Sequence, residues 1–130
     1  MKRSNSRGWT LIELLIVISL ISILATIGLA SYRNSVTASK EAILKTDLFR
    51  MRDAIDQYYA DKGEYPASLD ALVSEGYLRK IPDDPFTRAA DWQTLPAEPN
   101  PSKPTAEPGV YDVKSSSSDT ALDGSRYADW

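Results

Sequence analysis

Histidine and cysteine are both absent from the 130 residues. Their absence removes imidazole acid–base chemistry, thiol nucleophiles, zinc sites built on either ligand, and any disulfide. Carboxylates and serines remain, but none stands beside a base or an oxyanion site at a recognisable spacing, so the expectation is a protein that is not an enzyme. A basic surface is lacking too. Lys2, Arg3 and Arg7 are the only charged residues among the first eight, and setting them aside turns the formal net charge of −3 into −6 for the rest. That acidity argues against a nucleic-acid partner. At 42% hydrophobic and 25% charged residues the average is that of one globular domain, yet the distribution is uneven. Five of the eight prolines fall between Pro96 and Pro108, and the apolar residues concentrate near the N-terminus.

From Leu14 to Tyr32 nineteen consecutive residues carry no charge. As a helix they rise ~28 Å, close to the ~30 Å hydrocarbon core of a bilayer. Ser19, Ser22 and Ser31 interrupt the Leu, Ile and Val, and a serine hydroxyl is tolerated there because it returns a hydrogen bond to the preceding turn. The cations upstream predict a cytoplasmic N-terminus with everything after Tyr32 outside. A cleaved secretory signal is the alternative, with Gly28-Leu29-Ala30 as a small-x-small site. Against it stand the length of the apolar block, the carboxylate of Glu13, and helical spacing that continues past Ser31. Glu13 is the informative residue, because an ionised carboxylate at depth costs ~2.5–3.5 kcal/mol even on the lenient insertion scale. Either it sits shallow enough to reach head groups, or it has a cationic partner.

Gly8 followed by Trp9-Thr10-Leu11-Ile12-Glu13-Leu14-Leu15-Ile16-Val17-Ile18, behind a basic leader, resembles the class III signal of type IV pilins and of the pseudopilins of type II secretion systems. The resemblance implies a prepilin peptidase that cuts after Gly8 and N-methylates Trp9, where the family usually has Phe. It also implies a role for Glu13 in assembly. A chain-terminal amine at Trp9 ordinarily titrates near ~8, so near neutral pH it can neutralise a carboxylate four residues along the helix or on an adjacent subunit. At ~4 Å and an effective dielectric of ~20 the attraction is ~4 kcal/mol before desolvation, enough to offset burial. The resemblance assigns the contact to the adjacent subunit; the residues alone leave both arrangements open.

Beyond Tyr32 the apolar positions Val36, Ile43, Leu44, Leu48, Met51, Ile55, Tyr58 and Tyr59 recur at mostly helical intervals and predict an amphipathic stalk packed on a head. Gly63 and Pro66 end it, so one helix of roughly 80 Å is expected from about Trp9 to about Lys62. Ser68 is placed to cap a short helix that Gly76 ends. Asp91 to Leu95 and Gly109 to Lys114 read as strands, with Trp92, Leu95, Val110 and Val113 facing the stalk. Residues 96–108 read as a polyproline-like surface loop. The expected fold class is α+β: leader 1–8, transmembrane and assembly helix 9–32, stalk 33–62, and a head 63–130 with a short helix and a small antiparallel sheet.

The order Gly63-Glu64-Tyr65-Pro66, short helix, Gly76-Tyr77-Leu78, Ile81-Pro82-Asp83-Asp84-Pro85-Phe86, strand pair and terminal Trp130 is similar to the major pseudopilin of type II secretion over nearly the whole chain. Type IV pilins typically close a C-terminal loop with a disulfide, which a chain without cysteine cannot do. The likeness implies a structural subunit, anchored in the inner membrane, that polymerises into a periplasmic filament. Its implied partners are copies of itself, the prepilin peptidase, minor pseudopilins, an inner-membrane platform with its ATPase, and lipid before assembly. It also implies a structural calcium in loop 115–125, held by Asp119 and Asp123 with oxygens from Ser116, Ser118 and Ser125. The residues equally suit a polar Ser-rich tail with no metal. The alternatives to a short filament are a type IV or competence pilin of a longer fibre, and a monomeric membrane-anchored periplasmic binding domain.

Overall fold

The computed structural model describes residues 6–130, with side chains from Trp9 onward. Helix α1 runs Ser6–Lys62, α2 Leu69–Ser74, and a two-stranded sheet pairs β1 (Gln93–Pro96) with β2 (Val110–Lys114); a 3-10 turn, Tyr127–Asp129, closes the chain. The expected α+β class and the single long helix are thus present. Two compact units divide the chain, one ending at Thr37 and the other Ala38–Trp130.

In the first unit α1 carries no charge on any side from Leu14 to Tyr32. Its hydroxyls behave as required of such a helix: Ser19 donates to the Leu15 carbonyl (2.7 Å), Ser22 to Ile18 (2.8 Å) and Thr26 to Ser22 (2.8 Å). Each bond returns a polar group to the turn before it, so none of these three hydroxyls is left facing hydrocarbon.

In the second unit the core forms around Leu44, Leu48, Met51, Ile55 and Tyr58, spaced four, three, four and three residues apart and therefore on one helix face. Ala54 joins them, whereas Val36, Ile43 and Tyr59 of the expected stripe are exposed. Ile43 and Tyr59 each stand one residue outside the stripe, about 100° around the helix, which turns them away. Gly63 stops α1 at φ +71, its amide bonded to the Tyr59 carbonyl at 2.8 Å. α2 adds Leu69 and Leu72, and Gly76 ends it at φ +84. Ser68 stands at the N-cap, but its side chain makes no capping bond; its carbonyl receives the Ala71 amide instead.

The sheet is shorter and shifted relative to expectation. Asp91 and Trp92 precede β1, and all four β1 residues are exposed, Leu95 included. Only β2 packs inward, through Val110 and Val113, while Trp92 reaches the core from the preceding turn and donates its indole N–H to the Pro82 carbonyl at 2.7 Å. A register shift falls between Leu95 and Pro96, where proline has no N–H to give the ladder. Gly109 precedes β2 at a point where a Cβ would come within 2.6 Å of the Tyr65 carbonyl oxygen, so the close approach of the two segments needs glycine there. The proline-rich segment is an exposed loop as expected, but it contains local turns, with Asn100 accepting from the Ser102 amide through Oδ1 and from Lys103 through its carbonyl.

Of the two acids buried among the described residues, one is held there at a cost. Asp47 lies on the buried side of α1, and burial pushes its carboxyl above the usual range; Arg50 pulls it down and Asp84 pushes it up further. A carboxyl raised in the folded state stabilises folding increasingly as pH falls through that raised value, and opposes it once ionised. Asp47→Asn is therefore expected to melt above the parent near neutral pH, with the gap closing as acid protonates the parent. Thermal melts at several pH values measure it, and an equal or lower neutral Tm for the variant contradicts the reading.

Candidate functional site

The sequence points to two places, the start of α1 and the C-terminal loop. Of the leader 1–8, residues 1–5 lie outside the described residues, and Ser6 to Gly8 are described as helical backbone only. Gly8 and Trp9 thus occupy consecutive positions of α1, and the Trp9 ring is 73% exposed. Glu13 follows one turn later on the same side and is exposed as well. From Leu11 to Leu29 every large apolar side chain is 45–67% exposed. The segment has a mean hydropathy of 2.5 over eighteen residues, and none of that window is buried within the chain. By length and composition it can cross a membrane. A helix so uniformly apolar needs lipid or other helices around it, and the carboxylate near its start is the one charged side chain between Trp9 and Tyr32 that can discriminate between neighbours.

The C-terminal loop is ordered by its own backbone. Thr120 bridges Arg126 in antiparallel fashion, Ala121 N–H meets the Ser125 carbonyl at 2.6 Å, and Gly124 turns the tip at φ +88. Asp123 Oδ1 accepts from the amide (2.9 Å) and the hydroxyl (2.6 Å) of Ser125, and those two bonds hold its carboxyl below the usual range. Ser125 also accepts from the Trp130 indole at 2.8 Å. Ser116 spends its hydroxyl on the Asp91 carbonyl. Asp119 and Ser118 are exposed, and Asp119 takes the Tyr127 amide on its carbonyl at 3.3 Å.

Calcium takes six to eight oxygens. Among the described residues no three carboxylates gather at a point that could hold a metal ion. Ser116 and Ser125 give their hydroxyl hydrogens to partners within the chain, and one Asp123 oxygen already receives two hydrogen bonds.

Periodicity and motif spacing do not single out the α1 side chains that grip this region. Glu41 Oε1 accepts from the Leu122 amide and from the Tyr127 hydroxyl, each at 2.8 Å. Burial, reinforced by Glu41, pushes that hydroxyl well above the usual phenol range, so it remains a donor. Arg52 donates to Asp112 (2.7 Å), to the Val113 carbonyl (3.0 Å) and to the Trp130 carbonyl (2.8 Å). Beneath them Asp84, fully buried, accepts the Phe86 (2.8 Å) and Thr87 (3.4 Å) amides on Oδ1 and the Ser115 hydroxyl on Oδ2. The charges of Glu41 and Arg52 on an amphipathic helix look like an ordinary solvated face; their partners are 60 to 86 residues away in sequence.

Residues 3–29 match the family described as the prokaryotic N-terminal methylation motif. A type II secretion system core protein G of Klebsiella pneumoniae is 30% identical over 107 residues, which cover 70% of this chain and 75% of that protein. The chain belongs to the type II secretion system core protein G family. The core protein G of Pseudomonas aeruginosa is likewise 30% identical over 102 residues, covering 66% of this chain and 72% of that one. A fimbrial protein of Eikenella corrodens, EcpC, is 40% identical over 86 residues; these span 62% of this chain and 56% of its own length. No solved structure matches. The methylation motif takes in Gly8, Trp9 and Glu13, so in this core protein G relative the part of α1 that no described residue covers coincides with the segment carrying the motif.

Proposed function

We propose that this chain is the structural subunit, the major pseudopilin, of a type II secretion filament. The observation that carries the reading is the N-terminal half of α1, without charge on any side from Leu14 to Tyr32, with none of the described residues covering it and one carboxylate near its start. In the membrane, lipid covers that surface. In a filament, the same segments of neighbouring copies cover it, with Glu13 meeting the new amine of a cleaved Trp9 and setting which register is allowed. The partners that follow are further copies of the chain, a prepilin peptidase acting at Gly8 and Trp9, minor pseudopilins and a membrane platform. The leader cations favour a cytoplasmic N-terminus, a head in the periplasm and a periplasmic filament. The fimbrial relative supports a second reading, a longer surface fibre built by the same packing.

N-terminal sequencing and intact mass of the protein from membranes test the first step. The mature chain is expected to begin at Trp9, carrying one added methyl group. A start at Met1 or at Ser31 overturns the processing, and with it the docking role of Glu13. Electron microscopy of the assembled product separates a short filament from a long fibre.

A further inference from the structure

A serine-rich loop with no disulfide needs something to hold it, since ordering a dozen residues costs on the order of 10 kcal/mol of conformational freedom. Its own backbone bonds close the tip but do not attach it. Ser115 and Ser116 tie its first residues to Asp84 and Asp91, and the rest is attached by α1. Glu41 meets the loop on both sides of the glycine turn, at the Leu122 amide before it and the Tyr127 hydroxyl after it. Lys45 stands with its ammonium 4.6 Å from the centre of the Trp130 ring. Arg52 collects the Val113 and Trp130 carbonyls and the Asp112 carboxylate. Residues 41, 45 and 52 are four and eleven positions apart, which at 100° each returns them to within about 40° of one helix line. Tyr127, pinned by Glu41, stacks on Phe86 at 4.0 Å and meets Trp130 edge-on at 5.1 Å.

The polarity of this grip is opposite to that of a cation site. Here the helix supplies the carboxylate and the loop supplies N–H and O–H donors, so the loop oxygens are not needed as ligands. We propose that the C-terminal loop of this chain is held on α1 by Glu41, with Arg52 fixing the strand and terminus beside it, and that it closes without a divalent cation.

The test uses the full-length protein in detergent, by thermal melting and by trypsin cleavage after Arg126, each in excess EGTA and in millimolar calcium. For the parent, Tm and cleavage rate are expected to be the same in both. Glu41→Ala removes both bonds and is expected to be cut at least about tenfold faster at Arg126, the factor that losing even one net hydrogen bond of ordinary strength produces. Should that variant fail to fold, Glu41→Gln retains an acceptor and is expected to fold and to fall between. Asp119→Asn with Asp123→Asn is expected to leave the calcium comparison flat. A parent Tm several degrees higher in calcium, or protection from trypsin by calcium that the double Asn variant loses, overturns the proposal in favour of a metal-held loop. Unchanged cleavage in Glu41→Ala overturns the role of Glu41.

Discussion

Glu13→Leu is expected to insert in the membrane at least as well as the parent and to yield at least about tenfold fewer filaments. Insertion improves because the change removes a carboxylate that costs ~2.5–3.5 kcal/mol at depth. Assembly fails because the same change removes the partner of the Trp9 amine, an attraction of ~4 kcal/mol at ~4 Å and an effective dielectric of ~20 before desolvation. With leucine, the apolar surfaces still attract, but every register of one helix against another becomes nearly equivalent, since the surrounding positions are mostly Leu, Ile and Val. The amine, now unpaired, would also have to be buried alone, which opposes docking further. Immunoblots of membrane and sheared-filament fractions measure both halves of the prediction, and filaments at parental level from a stably inserted variant would refute it.

The largest expected effect on stability belongs to Asp84. Its two oxygens, themselves out of contact with solvent, receive two backbone amides and the Ser115 hydroxyl. Its backbone closes the same turn, the amide bonding Ala89 (3.0 Å) and the carbonyl accepting from Arg88 (2.7 Å), which sits at φ 59 in the left-handed region. Asp84→Ala leaves the buried Ser115 hydroxyl and two half-buried amides without their acceptor, at about 3 kcal/mol in total, because hydrogen bonds to a carboxylate exceed neutral ones. For a unit the size of Ala38–Trp130 that lowers Tm by more than ~10 °C. Asp84→Asn keeps Oδ1 for the amides and can donate to Ser115, so it is expected to lose less than half as much. Circular dichroism melts decide the matter; an Ala variant within a few degrees of the parent means that water or rearranged backbone replaces the carboxylate.

Much of the helical architecture could be read from the chain because its signals are local. The alternation Leu44, Leu48, Met51, Ile55, Tyr58 needs only the helical period to become a buried face, and Gly63 and Gly76 stop helices in a left-handed conformation that costs glycine nothing. The methylation motif over residues 3–29 is local in the same sense, being a spacing along one continuous segment. The sheet was legible only in outline. Hydrophobicity marks Val110 and Val113 correctly, although at three residues apart they do not alternate, and it also places Leu95 inside, whereas every residue of β1 faces out and the strand relies on pairing with β2.

The sequence by itself determined a membrane-length helix with a lone acid near its start, an amphipathic continuation and a head without covalent staples, because periodicity, charge and the absence of cysteine are properties of the chain before it folds. Only the tertiary structure decided what holds residues 115–130. Hydroxyls of Ser116 and Ser125 that could have turned to a cation go to Asp91, Asp123 and Trp130, while Glu41 and Arg52, separated from their partners by most of the head, do the attaching. A hydrogen bond depends on a few tenths of an ångström and on direction, and the chain fixes neither until the core beneath Tyr127 has packed.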